Sequence, residues 1–419
     1  MKYRGDNQTH WSTHHKSWKI IFKDPPYFQN EKELNLIIPQ HRGFLDEALS
    51  KHVSRKLGLM TQTDGFVFLT LNGEDVGLYY QVEQIGKDFL ERNQKAEGNL
   101  YADRFGDVAW STRLDLINQV ADWKKIAASP DSPENDYSDL KYLLEKIATN
   151  PTQGWDKLLG QIVNKDAFLA WNAHAILMGG THQDNIHNLK LYMNPVNGKT
   201  EFIPDDERFD GEINKLNSAC QTLDFSYNQF FDTLLAQPEW LLERNKIVWN
   251  YVANPEMIAE DYAFFDNLYE TSKNAYRRGS RYSSVLQFEF ASRNTLKLLQ
   301  ERYQLLKNML SDPPRPRVTA ARKPDLMQIT VKTAGFTGFM IEKVAAVDGK
   351  NKNEFAQTKV NIRILPQLVK TEGNFCNSYK SEEHSFTLPL CADCQDKELI
   401  LDIKNLTTGQ SVLPEISYE

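Results

Sequence analysis

The alternation of apolar and polar positions divides the chain into a strand-rich start, a helical middle and a β-patterned end. Residues 16–22 (KSWKIIF) alternate with period two, placing Lys16, Trp18, Ile20 and Phe22 on one face of a strand and Ser17, Lys19 and Ile21 on the other. Phe44, Leu45, Ala48, Leu49, Val53 and Leu57 fall on one helical stripe over 44–57, with Gly58 as its stop. Two β-type runs, 65–71 and 77–82, flank Asn72-Gly73, which predicts a tight hairpin. Glu83 comes next, just before a helix expected over about 85–93, and a short strand is expected at 98–101.

The segment 105–151 is polar, carries the turn Pro130-Asp131-Ser132-Pro133 and a short helix near 140–147, and reads as a lid or insertion. An apolar helix over 164–177 is stopped by Gly179-Gly180, which lead into the loop HQDNIHN at 182–188. Strands at 189–193 and 200–203 are joined by a turn at 194–198. From 238 to 310 the pattern is helical, broken near Asn254-Pro255 and Gly279-Ser280, and Trp155, Trp171, Trp240 and Trp249 read as core on helical faces.

After Pro313-Pro314-Arg315-Pro316 the pattern changes to short β runs at 318–321, 328–332, 359–365, 385–388 and 398–403. The expected fold class is therefore α+β. A first domain over 1–312 is β-rich to about 104 and helical beyond, and a sandwich-like all-β domain spans 313–419.

Composition changes this picture little. With 419 residues, 41% hydrophobic and 25% charged, the chain is long enough for two cores and is neither disordered nor membrane-spanning in composition. A formal charge of -7 without a basic cluster argues against nucleic acid as the partner. Met1 directly precedes Lys2-Tyr3-Arg4-Gly5, which reads as the middle of a strand and turn, so a missing upstream signal or anchor is expected. Among the four cysteines, Cys376, Cys391 and Cys394 lie close together, and Cys220 is alone. With His384 the three offer a Cys3His zinc set of unusual spacing, but a disulfide in an exported protein, or plain buried thiols, is the preferred reading.

Phosphoryl transfer needs a cation on the phosphates, acidic or amide ligands for magnesium, and a group that orients the attacking hydroxyl. The chain supplies these in order. Lys16 and Glu83 are an expected ion pair, Asp184 sits on a loop after a buried helix, Asn188 lies four residues on, and Asp206 comes after a hairpin. His182 and His187 flank Asp184 and offer a His-x-Asp metal site as an alternative, although His187 orienting Asp184 is preferred. His14-His15 reads as an exposed strand start.

These residues resemble the CotH kinases, an atypical, two-lobed protein-kinase-like family of spore-coat, secreted and envelope-associated proteins, over about residues 1–310. The likeness rests on RGDN at 4–7, KSWKIIF, NGEDVGLYYQVE, HQDNIHNLKLY and FIPDD, which stands where the family usually has F-x-P-W-D. It implies an ATP- and Mg2+-dependent (or Mn2+-dependent) kinase acting on serine or threonine of a secreted or envelope protein. Carried over, Asp184 is catalytic, Asp206 and Asn188 bind metal, and Lys16 and Glu83 form the nucleotide-site pair, with Lys19 as the rival of Lys16. Arg4 reaches phosphate and Tyr79 the adenine. Asp205 replaces the family's tryptophan and becomes a further metal ligand, while Arg208 replaces a common acid, with Glu207 and Asp210 beside it to compensate. These departures leave two alternatives open: an inactive kinase-like binding module for glycan or protein, and a transferase to a non-protein hydroxyl.

Overall fold

The computed structural model describes the chain except residues 6–9, 11–14, 25–26, 28–31, 105–112, 149–154, 207–208, 210, 279–283, 324–325, 348–353, 371–374, 381, 390–397 and 419. Two compact units emerge, the first made of Met1–Asn214, Tyr227–Phe230 and Asn254–Tyr303, the second of Lys215–Ser226, Phe231–Ala253 and Gln304–Glu419. The boundary expected near 313 therefore falls inside the second unit. The composition shift there marks a change from helix to strand, while helical residues before it already belong with the β region. Asn245 Nδ2, for example, donates to Phe336 O at 2.6 Å, and Asn405 Nδ2 to Leu310 O at 2.9 Å.

In the first unit β1 (Lys2–Tyr3), β2 (Trp18–Ile21), β3 (Glu33–Ile37), β4 (Asp64–Leu71) and β5 (Glu74–Val82) form an antiparallel sheet in the order β1-β2-β3-β5-β4. The hairpin forms as the sequence demands, with Asn72 and Gly73 at φ 53° and 81°. Alternation along β5 sends Tyr79 and Tyr80 to opposite faces. Tyr79 joins Leu36 and Ile38, with Trp18 and Ile20 packed against them, whereas Tyr80 joins Ile37, Ala48 and Val82.

The helix Asp46–Lys56 starts two residues later than the apolar stripe suggests, because Gly43 and Phe44 take left-handed φ of 59° and 61°. A Cβ on Gly43 would collide with the Asp46 carboxylate, so this turn requires glycine. The same helix is anchored through buried Asp261, which accepts from Lys56 Nζ at 2.7 Å and from Tyr303 Oη at 2.7 Å.

A second sheet comprises β6 (Asn99–Asp103), β7 (Trp123–Ala127), β8 (Lys190–Asn194) and β9 (Lys199–Phe202), in the order β7-β6-β8-β9. Much of the segment expected to be a lid is thus framework. It supplies β7, buries Leu114, Leu116, Ile117 and Trp123, and turns Leu140, Leu143, Leu144 and Ile147 of the helix Ser138–Ala148 inward. The helix Lys165–Met178 is buried on nearly every side, with Asn164 capping its start by accepting from Ala167 N at 3.3 Å and Gly179 ending it at φ 63°.

The strands of the second unit are β10 (Arg317–Lys323), β11 (Leu326–Thr333), β12 (Phe339–Val347), β13 (Glu354–Ile364), β14 (Leu368–Val369), β15 (Ser378–Tyr379), β16 (Glu382–Pro389), β17 (Glu398–Asn405) and β18 (Glu415–Tyr418). One sheet is ordered β16-β11-β10-β18 and another β13-β12-β17, while β14 and β15 pair separately. Val318, Ile329 and Val331 from the first sheet share one core with Phe339, Val344 and Leu401 from the second, a sandwich-like arrangement. Cys220 and Cys376 form a disulfide, which removes Cys376 from the zinc set; Cys391 and Cys394 lie outside the described residues. Trp171 and Trp240 are buried, and the side chain of Trp155 lies outside the described residues. Among the described residues no helix is long and apolar enough to cross a membrane.

Candidate active site

A cleft of about 920 Å³ opens in the first unit, lined by residues from both of its sheets. On the five-stranded side Lys19 of β2 and Asn35 of β3 are directly paired across the strands, and both line it. Lys19 Nζ stands 2.6 Å from Glu33 Oε2 and 3.4 Å from Gln84 Oε1. Arg4 Nε donates to Asn35 Oδ1 at 2.9 Å, and Asn35 Nδ2 donates to Val82 O at 3.2 Å. These bonds join the wall into a cross-strand network, which fixes where Arg4 and Lys19 point.

Lys16 lies elsewhere. Its Nζ sits 4.7 Å from the centre of the Tyr3 ring, and its carbonyl accepts from Tyr79 Oη at 2.9 Å. Tyr79 is fully buried, receives Trp18 Nε1 at 3.2 Å and meets His15 edge-on at 4.7 Å, so it is a core residue and not a cleft wall. The reason is the alternation itself: the apolar face of β2 packs on the core, and the cleft opens on the opposite face, which carries Lys19. Glu83 lines the cleft, but its partners include Arg92 Nη1 at 2.8 Å and Thr63 N at 2.9 Å, and the expected pair with Lys16 does not form. His15 is buried, not exposed, and burial followed by nearby His41 lowers its pKa to about 4. His14 lies outside the described residues.

The opposing wall is built from the HQDNIHN loop, the start of β8 and the residues just beyond β9. Buried Gln183 fixes the loop: it accepts from Trp171 Nε1 at 2.7 Å and donates to Asn188 O and Ile203 O, both at 2.9 Å. Asp184 Oδ1 accepts from Ile186 N at 2.8 Å, His187 N at 2.9 Å and His187 Nδ1 at 2.8 Å. That side-chain hydrogen bond holds the His187 imidazole above its ordinary pKa. Asp184 itself does not line the cleft, whereas His182, Ile186, His187 and Asn188 do.

Asn188 takes φ 64°; its backbone N donates to Asp103 Oδ2 at 3.0 Å and its Nδ2 to His182 O at 3.1 Å. Asp206 is likewise left-handed at φ 53°. Non-glycine residues held in this region are uncommon and gather at functional sites.

The acids of the cleft carry cationic partners. Lys190 Nζ lies 3.1 Å from Asp103 Oδ2 and 3.4 Å from Asp205 Oδ2. Burial pushes its ammonium toward neutrality, but the two carboxylates outweigh this and the pKa stands above the ordinary lysine value. Asp205 is thus an ion-pair partner where a metal ligand was expected. Asp206 Oδ1 pairs with Arg42 Nη1, and its Oδ2 lies 4.0 Å from His182 Nδ1. His182 and His187 therefore serve different aspartates, and among the described residues no three His, Cys, Asp or Glu side chains converge as a metal group. Glu207, Arg208 and Asp210 lie outside the described residues.

Arg42, Asp103 and Lys190 escape a reading of the sequence alone. A signal exists for Lys190, since a lysine interrupting the apolar strand NLKLY calls for a buried counter-ion. Arg42 and Asp103 sit at turn and strand ends, where local pattern is silent.

Residues 1–304 match the profile of the family described as CotH, CotH kinase protein. The chain belongs to the CotH kinase family. That family is described as one of kinase proteins. The inner spore coat protein H of Bacillus subtilis (strain 168) is 24% identical over 240 residues, covering 57% of this chain and 65% of that protein. The chain thus spans just under two thirds of that relative's length. The crystal structure of the Helicobacter pylori proinflammatory kinase CtkA covers 70% of this CotH-family chain and 93% of its own, at 12% identity and a TM-score of 0.32, too low to bear on the fold.

Proposed function

We propose that this chain is an ATP-dependent, Mg2+- or Mn2+-dependent kinase that phosphorylates serine or threonine of a protein partner at the cell envelope. The observation that carries this reading is the charge of the cleft. Lys2, Arg4, Lys19 and Arg42 line one side and Arg113, Lys124 and Lys190 the other, against the carboxylates Glu83, Asp103, Asp205 and Asp206, in a chain of net charge -7. A cationic recess in an acidic protein suits a polyphosphate.

Lys19, rather than Lys16, and Arg4 face phosphate in this reading. Mg2+ takes one or two carboxylates and completes its octahedron with phosphate and water. Asp206 with Asn188 is such a set in kind, and Asp205 stays with Lys190. The metal would neutralise charge developing on the transferred phosphoryl group. In the family-based reading Asp184 ties the loop through Oδ1 and leaves Oδ2 to orient the acceptor hydroxyl, although only its loop neighbours His182, Ile186, His187 and Asn188 line the cleft. The envelope placement and the protein acceptor draw on the family and on the spore-coat relative; nucleic acid is not part of the reading.

The test is phosphate transfer from labelled ATP to candidate envelope proteins by the wild type, Asp184→Asn and Asp206→Asn. Asn at 184 still accepts the loop hydrogen bonds, so loss of transfer with an unchanged melting temperature supports the assignment. Equal transfer by all three overturns it. One observation favours a second reading, a kinase-like binding module: side-chain cations already occupy Asp205 and Asp206. No thermal shift with millimolar Mg2+-ATP would select that reading.

A further inference from the structure

Arg42 ends the short helix Pro39–Arg42, and the left-handed turn at Gly43 and Phe44 carries the chain directly into the helix bearing Glu47. Its guanidinium spans two acids. Nε stands 2.9 Å from Glu47 Oε2, and Nη1 pairs with Asp206 Oδ1. Glu47 is 2% exposed and also holds Lys51 Nζ at 2.5 Å. Burial would raise its carboxyl, yet Arg42 and Lys51 together hold it down to about 2, so the Glu47 anchor stays charged at any physiological pH. Arg42 Nε and Glu47 Oε2 are close but off the hydrogen-bonding line, a charge contact and not a directed bond.

We propose that Arg42 is a tethered counter-ion that holds Asp206 until a divalent cation arrives together with a polyphosphate, making it a positioning residue that couples metal loading to nucleotide loading. The proposal rests on reading the cleft as a nucleotide site. A bare cation reaching Asp206 must expel the guanidinium into a recess that already holds Arg4, Lys19 and Lys190. Like charge opposes that step. A phosphate arriving with the cation offers the displaced guanidinium a charge-assisted, bidentate partner, and the penalty disappears. By linkage, the nucleotide then tightens metal binding by the same factor as metal tightens nucleotide binding.

The experiment measures Mn2+ binding to the full chain by the loss of the free aquo-ion paramagnetic resonance signal, with and without a non-hydrolysable ATP analogue. Wild type, Arg42→Gln, Arg42→Lys and Asp206→Asn are compared. The wild type is expected to bind Mn2+ weakly alone and roughly tenfold or more tighter with the analogue, and Arg42→Gln to bind Mn2+ alone roughly tenfold tighter and lose most of that coupling. Arg42→Lys keeps the charge without the fork and falls between. If Asp206→Asn abolishes binding while Arg42→Gln binds Mn2+ alone no tighter than the wild type, the site is real and the counter-ion role is wrong. If Asp206→Asn binds Mn2+ and analogue like the wild type, the metal reading falls and this proposal with it. Should Arg42→Gln fail to melt cooperatively, Arg42→Lys decides, since an unchanged Mn2+ affinity there also overturns the role.

Discussion

Lys190 Nζ stands 3.4 Å from Asp205 Oδ2, pairing the acid just beyond β9 with a lysine on the neighbouring strand β8. Lys190 neutralises the acid at 205 and has Asp103 as a second partner at 3.1 Å. Removing the lysine leaves two part-buried carboxylates facing each other. Lys190→Met is expected to cost about 1–3 kcal/mol, and adding Asp205→Asn should return part of it. Urea unfolding of the two single variants and the double variant checks this, and strictly additive effects would refute the coupling. Since the folded pKa of Lys190 is raised above 10.5, its contribution is complete at neutral pH and is lost only as pH rises through that folded value.

Lys19 and Lys16 make opposite predictions for nucleotide binding. Lys19→Met should weaken Mg2+-ATP roughly tenfold, the loss of about one charge-assisted contact. Lys16→Met should leave affinity unchanged, because Lys16 does not line the cleft and its ammonium is engaged by the ring of Tyr3, which does. Isothermal titration distinguishes them, and equal losses in both variants would place the phosphate site elsewhere.

The alternation KSWKIIF identifies the strand correctly and assigns both of its faces. What it lacks is which face the core takes, and that is settled by Tyr79 on a strand about sixty residues away. Lys16 shares the face of Trp18 and Ile20, the feature that favours it in sequence, and that same feature removes it from the cleft. The loop at 182–188 is legible because glycines end a buried helix there and its polar residues bond one another locally. Asp205 passes for a ligand in sequence since its partner Lys190 lies on the facing strand. The strand Phe339–Val347 escapes notice because a bulge between Ile341 and Lys343 breaks its alternation.

His174 gives the fold a pH limit. It is fully buried on the helix Lys165–Met178, with Nε2 3.0 Å from Ser50 O and 3.1 Å from Ser50 Oγ. Burial lowers its pKa to about 4 from 6.5, outweighing the hydrogen bond to Ser50. The unfolded chain therefore binds the extra proton between those values, so stability is complete above about pH 6.5 and falls as pH drops toward 4. The full loss is roughly 3 kcal/mol at 1.36 kcal/mol per pKa unit. His174→Gln should reduce the slope of melting temperature against pH across this window, leaving the part contributed by His15, whose pKa is lowered likewise. An unchanged slope would assign the acid sensitivity to other groups.

The disulfide between Cys220 and Cys376 closes a separation of 156 residues in the second unit. Around it the chain is already joined: Ser226 N donates to Phe375 O at 2.8 Å, Asn377 N to Asp224 O at 3.1 Å, and the rings of Phe225 and Phe375 stack at 5.1 Å. Arg244 Nη2 and Tyr379 Oη bind the same Asp224 carboxylate oxygen at 2.8 and 2.6 Å. These contacts hold the native geometry without the bond, so its loss acts chiefly by freeing the unfolded chain. Loop entropy for so long a closure is about 5 kcal/mol, and residual denatured-state structure reduces it toward about 2 kcal/mol. Cys220→Ser/Cys376→Ser should lower the unfolding free energy of this unit by an amount in that range. Reductant should destabilise the wild type similarly and leave the double variant unmoved; a reductant effect persisting in the variant would point to another cysteine pair.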